Sequence, residues 1–273
     1  MRIARGISVT NTSKPISTAI VYDADAAAFF TAASITDTTQ KSAVNQLVLD
    51  LKSASIWTKM KAIYPVVGGV ASAHAVNLKT PGTYNLSFAT GWSHASTGMT
   101  PNGATYADTN IIPSSVLTLN STHFSFYSRS NANPGGLFFG SVNTTQLSSL
   151  QCSVYGNNNG SIYDCYNTIT GQGRLLGSNV ADSRGFAVFS RSASNSSKIF
   201  WNNFLNGSIT TSGGSLPNTY KIALSARNYD GVIGNYDSRQ CAFSSIGDGL
   251  TDAEASSFYT AVQNYQTTLG RQV

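Results

Sequence analysis

Residues 186–207 read FAVFSRSASNSSKIFWNNFLNG: two aromatic and β-branched runs, FAVFSRS and KIFWNNFLNG, separated by the polar cluster at Asn195-Ser-Ser and closed by Asn206-Gly207. Short runs of this kind, bounded by residues that tolerate positive φ, predict antiparallel strands joined by tight turns. The pattern continues in both directions. Between about residues 70 and 245 the runs AHAVNLK, NLSFAT, SVLTLN, HFSFYSR, GLFFGSV, SSLQCSVYG, SIYDCYNTI, YKIALSAR and QCAFSSIG are separated by clusters of Gly, Asn, Pro and Ser, among them Asn157-Asn-Asn-Gly160 and Asp230-Gly231. Many short strands without intervening helices predict a mainly β, antiparallel sandwich and not a βαβ sheet.

Helical patterning is confined to the two ends. Asp23-Ala-Asp25 precedes AAAFFTAAS, which puts acids where a helix dipole favours them. In KSAVNQLVLDLKSASIW, Val44, Leu47, Leu51 and Ala54 share one helical face. A single apolar stripe on so short a hairpin cannot stand alone, so residues 22–66 are expected to dock on the sandwich. Near the other end, Leu250-Thr251-Asp-Ala-Glu254 is a capping box with Thr251 at the N-cap and Glu254 at N3. It opens a helix expected over 251–269, with Phe258, Val262, Tyr265 and Leu269 on the apolar face and Gly270 at its end. Residues 1–21, interrupted by Pro15, read as an extended attachment arm carrying Arg2, Arg5 and Lys14. The expected organisation is arm (1–21), helical hairpin (22–66), and sandwich with C-terminal helix (67–273).

The 273 residues suit one large β domain with a small appendage. Only 11% are charged and about a third are Ser, Thr or Asn, yet 41% are hydrophobic, so the low charge does not signal disorder. The net charge of +5 comes from 17 basic and 12 acidic residues scattered along the chain. The densest basic stretch is Trp57-Thr-Lys-Met-Lys61, which argues against a nucleic-acid partner. No 18-residue apolar run predicts membrane insertion, and the first residues lack the apolar core of a secretory signal, so synthesis in a cytoplasm is expected. Cys152, Cys165 and Cys241 form no CxxC; Cys152 and Cys165 are read either as a bridge across a hairpin or as two packed thiols.

Three segments in order, KIFWNNFLNG (198–207), YKIALSARNYDG (220–231) and CAFSSIGDGLTDAEASSFYTAVQNY (241–265), resemble the C-terminal part of concanavalin A-like jelly rolls of the laminin-G type. The stretches over 22–69, 91–109 and 123–131, with the final CAFSSIGDGLTD and LGRQV, are similar to a recurrent module of tailed-bacteriophage virion proteins, including those of crAss-like phages. These resemblances imply a concanavalin A-like jelly roll and a structural or adhesion role on the virion, as a tail, fibre or capsid-decoration component made in the host bacterial cytoplasm. The partners implied are other virion proteins and further copies of the chain, a trimer by analogy with fibres. Laminin-G-type domains also hold calcium through loop acids, which here would be Asp108, Asp164, Asp182, Asp230 and Asp237; no DxDxDG run is present, and turn capping explains these acids as well.

Folds of this class also host glycoside hydrolases, which need two facing carboxyl groups. The chain has one Glu, Glu254, already read as a helix cap, and its one Asp-x-Asp, Asp23-Ala-Asp25, lies at a helix start. His74, His94 and His123 stand singly, and no GxSxG or phosphate-binding loop is present, so no enzymatic activity or resident cofactor is expected. The remaining candidate is a glycan-contact surface, where aromatic rings stand beside amides and hydroxyls. The loops carrying Trp92, His94, Asn102, Tyr106 and Asp108, with Tyr229 and Tyr236, have that content. Trp57, at a helix end, and Trp201, inside an apolar strand, are weaker candidates than Trp92.

Overall fold

The structure, a computed structural model, describes residues 20–154, 160–167, 174–211 and 213–273, the side chains of 164–167 excepted. Arg2, Arg5 and Lys14 of the expected arm, the turn at 157–159 and the side chains of Asp164 and Cys165 lie outside the described residues.

Helices α1 (Ala24–Ala32) and α2 (Thr38–Ser53) lead through a 3-10 turn (Trp57–Lys59) into β1 (Met60–Tyr64). Then come α3 (Ala71–His74), β2 (Ser87–Phe88), β3 (Trp92–Ala95), β4 (Gly98–Pro101), β5 (Ala107–Asp108) and α4 (Pro113–Val116). The central strands are β6 (Thr122–Ser128), β7 (Phe139–Asn143), β8 (Ser148–Val154), β9 (Ser161–Asn167), β10 (Leu175–Gly177), β11 (Gly185–Ala193), β12 (Ser196–Trp201) and β13 (Phe204–Ile209). The chain finishes with β14 (Ala223–Leu224), β15 (Arg227–Tyr229), β16 (Val232–Gly234), β17 (Cys241–Gly247) and α5 (Asp252–Thr268). One sheet has the order β13-β12-β11-β6-β17-β4-β3, with β1 also on β17; the other runs β10-β9-β8-β7-β14-β5-β2, with the β15–β16 hairpin joined through β7. The neighbours pair antiparallel, apart from β15, which runs parallel to β7.

The molecule is a β-sandwich with a third, helical layer, and β11 shows why. Phe186 and Val188 face the helices, in one cluster with Val44, Leu47, Phe258 and Val262, whereas Ala187 and Phe189 face the other sheet, in a cluster with Phe139, Leu150 and Tyr163. A strand covered on both faces reads as a continuous apolar run, which is why FAVF shows no alternation. The capping box of α5 forms as expected: Glu254 N–H donates to Thr251 Oγ1 at 3.3 Å and Thr251 N–H to Glu254 Oε2 at 2.8 Å. Lys59 Nζ donates to the same Glu254 oxygen at 2.6 Å, which ties the helix to the start of β1.

The structure departs from the sequence reading in several places. KIFWNNFLNG, read as one run closed by Asn206-Gly207, is a hairpin of β12 and β13 that turns at Asn202-Asn203, with Asn206 and Gly207 inside β13. Residues 60–64, grouped above with the hairpin, are a strand of the sandwich, paired Tyr64 to Ser244, with Ala62 and Tyr64 in the inter-sheet core. AHAVNLK and SVLTLN form no strands: α3 and α4 begin or overlap them. In the first case Asn77 replaces a ladder, its Oδ1 accepting Ile63 N–H at 2.9 Å and its Nδ2 donating to Lys61 O at 3.2 Å and Thr83 O at 2.9 Å. The ladder pairs Cys152 with Tyr163 and Cys165 with Leu150, so the two cysteines are not opposite one another.

Candidate functional site

Trp201 is the last residue of β12, and Asn202 and Asn203 (φ 47° and 69°) make the two-residue left-handed turn into β13, with Trp201 paired to Phe204. Trp201 packs in the inter-sheet cluster but keeps 9% of its surface exposed, at the edge of a hollow of about 620 Å³. Asp182, Arg184, Asn202 and Gln272 line the same hollow, with Val180 supplying an apolar wall. This volume lies in the range of small-molecule sites.

Each polar side chain at this hollow is held in place. Asn202 Oδ1 accepts Phe186 N–H at 2.8 Å, and Asn202 N–H donates to Phe186 O at 3.0 Å. Its amide lies over Gly185, whose φ is +135°; a Cβ there would sit 2.2 Å from Asn202 Oδ1, so only glycine fits. Asp182 takes Arg184 through one edge of the guanidinium: Nε donates to Oδ1 at 3.1 Å and to Oδ2 at 2.9 Å, and Nη2 to Oδ2 at 2.6 Å. Between them the buried Ser183 is pinned, its N–H donating to Asn131 Oδ1 at 3.1 Å and its Oγ accepting Ala132 N–H at 3.0 Å. The hydrogen bond from Arg184 holds the Asp182 carboxyl below the usual carboxylate range, so it stays ionised and keeps hold of the arginine. Gln272 Oε1 accepts the Thr267 hydroxyl at 2.5 Å. Among the described residues, Arg184 Nη1, Trp201 Nε1, Asn202 Nδ2 and Gln272 Nε2 have no hydrogen-bond acceptor. The hollow therefore offers a set of N–H donors beside an indole edge.

The glycan-contact residues expected from sequence lie near one another in part, but their polar groups and rings are largely engaged within the protein. Trp92 and His94 stand on β3, a strand and not a loop. The Trp92 ring lies against Phe88 at 5.2 Å and is stacked on His94 at 6.4 Å between centroids, and its Nε1 donates to Tyr106 O at 3.0 Å, so it is not an open platform. His94 Nδ1 is 2.9 Å from Nδ1 of the buried His74. Burial, then His94 and Arg271, push His74 down to about 3; burial also lowers His94. Asn102 closes a turn, its Oδ1 accepting Ala104 N–H at 2.9 Å. Tyr106 and Asp108 do meet, at a hollow of about 120 Å³ also lined by Lys221 and by Asn228, the neighbour of Tyr229. Tyr229 sits under Arg227 at 4.7 Å, and the Tyr236 hydroxyl donates to Ile233 O at 3.1 Å.

The expected calcium acids are likewise dispersed. Asp108 pairs with Lys221 at 3.2 Å, Asp182 with Arg184, and Asp237 with Arg239, both fully buried; Asp230 accepts Thr144 N–H at 2.8 Å and the Thr144 hydroxyl. Among the described residues no group of three or more His, Cys, Asp or Glu side chains is placed to hold a metal. The sequence reading misses the Trp201 hollow because Trp201 lies in an apolar strand, and most of its ring is indeed buried; the signal is the Trp-Asn-Asn after KIF, where a strand stops and a turn begins.

No family model and no curated protein matches the chain. Among solved structures, the chain is similar to a mutant Trypanosoma rangeli sialidase displaying trans-sialidase activity, at 9% identity and a TM-score of 0.54 over 81% of this chain and 39% of that one. It also matches domain 4 of an extracellular arabinanase from Geobacillus stearothermophilus, in complex with arabinotriose (13% identity, 73% and 98% covered, TM-score 0.42), and the CBM40 of a Ruminococcus gnavus IT-sialidase (15%, 63% and 97%, 0.45). The chain spans 39% of the length of the first, and the likeness is one of fold.

Proposed function

We propose that this chain is a glycan-binding β-sandwich module that takes its ligand in the hollow at Trp201. The carrying observation is the donor set of Arg184, Trp201, Asn202 and Gln272 around an apolar edge, in a space of about 620 Å³. Sugars present hydroxyl and ring oxygens that accept such hydrogen bonds, and the indole, 9% exposed, adds an apolar edge and not a stacking face. The reading rests on this hollow and not on the likeness of fold. On this reading it binds glycan without hydrolysing it, which the engagement of the lone Glu254 by Thr251 and Lys59 at the α5 cap supports. A glycan array with the whole chain tests it. Retention of a defined saccharide set, weakened by Gln272→Ala, supports the reading; no retention on any glycan overturns it.

A second reading, a structural component of a tailed-phage particle, has its own observation. Strands β13 and β10 are the outer strands of their sheets, and Phe204, Leu205 and Leu176 there are 78%, 55% and 67% exposed. The two strands meet one another, Ser178 N–H donating to Asn206 O at 3.0 Å and Asn206 Nδ2 to Ser178 O at 3.1 Å, so what stays uncovered is this group of apolar side chains and not a free strand edge. On this reading further copies of the chain cover it, as the expected trimer would. Sedimentation then shows an oligomer that Phe204→Ser with Leu205→Ser dissolves, whereas a monomer at all concentrations contradicts it.

A further inference from the structure

The way Arg184 is held narrows the ligand, granting that the Trp201 hollow binds saccharide. A guanidinium has two edges suited to a carboxylate: the side edge of Nε and Nη2, and the end edge of Nη1 and Nη2. Asp182 occupies the side edge, with Nε and Nη2 both donating to it, while Nη1 has no acceptor among the described residues. The end edge is thus left as a fork of parallel N–H donors, held by a carboxylate that is itself fixed by the pinned Ser183. Both Asp182 oxygens are used on Arg184 N, Nε and Nη2, so the acid serves to aim the arginine and offers little to an incoming donor.

The other polar side chains of the lining agree in kind. Trp201 Nε1, Asn202 Nδ2 and Gln272 Nε2 are donors, and the oxygens of those amides are spent on Phe186 N–H and the Thr267 hydroxyl. Side-chain donors whose companion side-chain acceptors are internally engaged favour a ligand rich in acceptors. A neutral sugar, whose hydroxyls donate as readily as they accept, would leave its own donors unmatched here, and the forked edge would meet nothing of its own shape.

We propose that the hollow at Trp201 selects saccharides bearing a carboxylate, with Arg184 gripping the carboxylate through its end edge and Trp201, Asn202 and Gln272 taking ring and substituent oxygens. Hexuronic acids and nonulosonic acids share this chemistry, and the test separates them. Calorimetric titration of the whole chain uses three probes: trigalacturonate, sialyllactose and neutral lactose. The expected result is that at least one acidic probe binds at least tenfold more tightly than lactose, and which one identifies the source. Arg184→Gln should remove that preference. Arg184→Lys keeps the charge and should restore less than half of the lost free energy, because a point charge cannot reproduce the fork. Arg184 is largely exposed, so both variants fold, which an unchanged melting temperature verifies. Neutral glycan binding equal to or tighter than acidic, unaffected by Arg184→Gln, overturns this inference while leaving the glycan-binding reading intact. An acidic preference that Arg184→Gln leaves unaltered also overturns it. No binding of any glycan, on the array or here, overturns both.

Discussion

Gly185 is the position where the local backbone and the candidate site are most tightly coupled. Its φ of +135° is disfavoured for any residue with a Cβ, and a Cβ built there lies 2.2 Å from Asn202 Oδ1 and 2.5 Å from Nδ2. Gly185→Ala must therefore either shift β11 or rotate the Asn202 amide away. Rotation deprives Phe186 N–H of its 2.8 Å acceptor. Strained backbone amounts to about 1–3 kcal/mol and a lost hydrogen bond to about 0.5–1.5 kcal/mol, so the variant should be destabilised by roughly 2–4 kcal/mol. Urea denaturation read by tryptophan fluorescence gives this value directly, as a fall in midpoint at unchanged slope. Because the amide leaves the hollow, glycan affinity should fall as well, beyond what the small unfolded fraction explains. A stability within about 0.5 kcal/mol of the parent, with affinity unchanged, would refute the role given to Asn202 and the reason given for the glycine.

The other expectations concern buried charge and pH. Asp237→Asn leaves the fully buried Arg239 without its carboxylate and should destabilise by about 3–5 kcal/mol in the same assay, far more than the loss of the exposed Asp182 partner would. Arg271 donates to Val66 O at 2.7 Å and Ser96 O at 3.3 Å and holds the β-branched Val66 at φ 55°; Arg271→Met should cost about 3 kcal/mol and expose residues 65–67 to hydrogen exchange. Burial lowers His74 to about 3 and His123 to about 4 from 6.5. Both rings are neutral in the fold but take protons in the unfolded chain below pH 6.5, so stability should fall as pH drops from 6.5 towards 4, with a slope approaching ~2.7 kcal/mol per pH unit for two protons. A melting temperature that is flat between pH 7 and 4.5 would contradict their burial.

Much of the architecture was legible because local signals coincided with global ones. The Thr251–Glu254 box marked the start of α5, and FAVF and KIFW were readable as strands; that both their faces are covered, as a helical third layer requires, emerges only from the packing. Where a side chain took over the backbone's hydrogen bonds, as Asn77 does for three partners, apolar alternation misled, since nothing in AHAVNLK distinguishes a strand from a loop wrapped on an amide. The site was less legible for a similar reason. Trp92 and its neighbours have the composition of a glycan surface, but cross-strand packing turns Trp92 onto Phe88 and His94 and its N–H onto Tyr106. Arg184, Trp201 and Gln272 are far apart in sequence and meet only because the β12–β13 turn and the segment after α5 end at the same side of the sandwich.

The most direct test is an amide and indole NMR titration of the whole 15N-labelled chain with the tightest saccharide from the array. The chain has three tryptophans, so three indole N–H signals report on Trp57, Trp92 and Trp201. Binding as described moves the Trp201 indole and the Asn202 and Gln272 side-chain amides while leaving Trp92 in place. Shifts centred on Trp92, Tyr106 and Asp108, with Trp201 still, would contradict the account and return the site to the opposite segments of the chain.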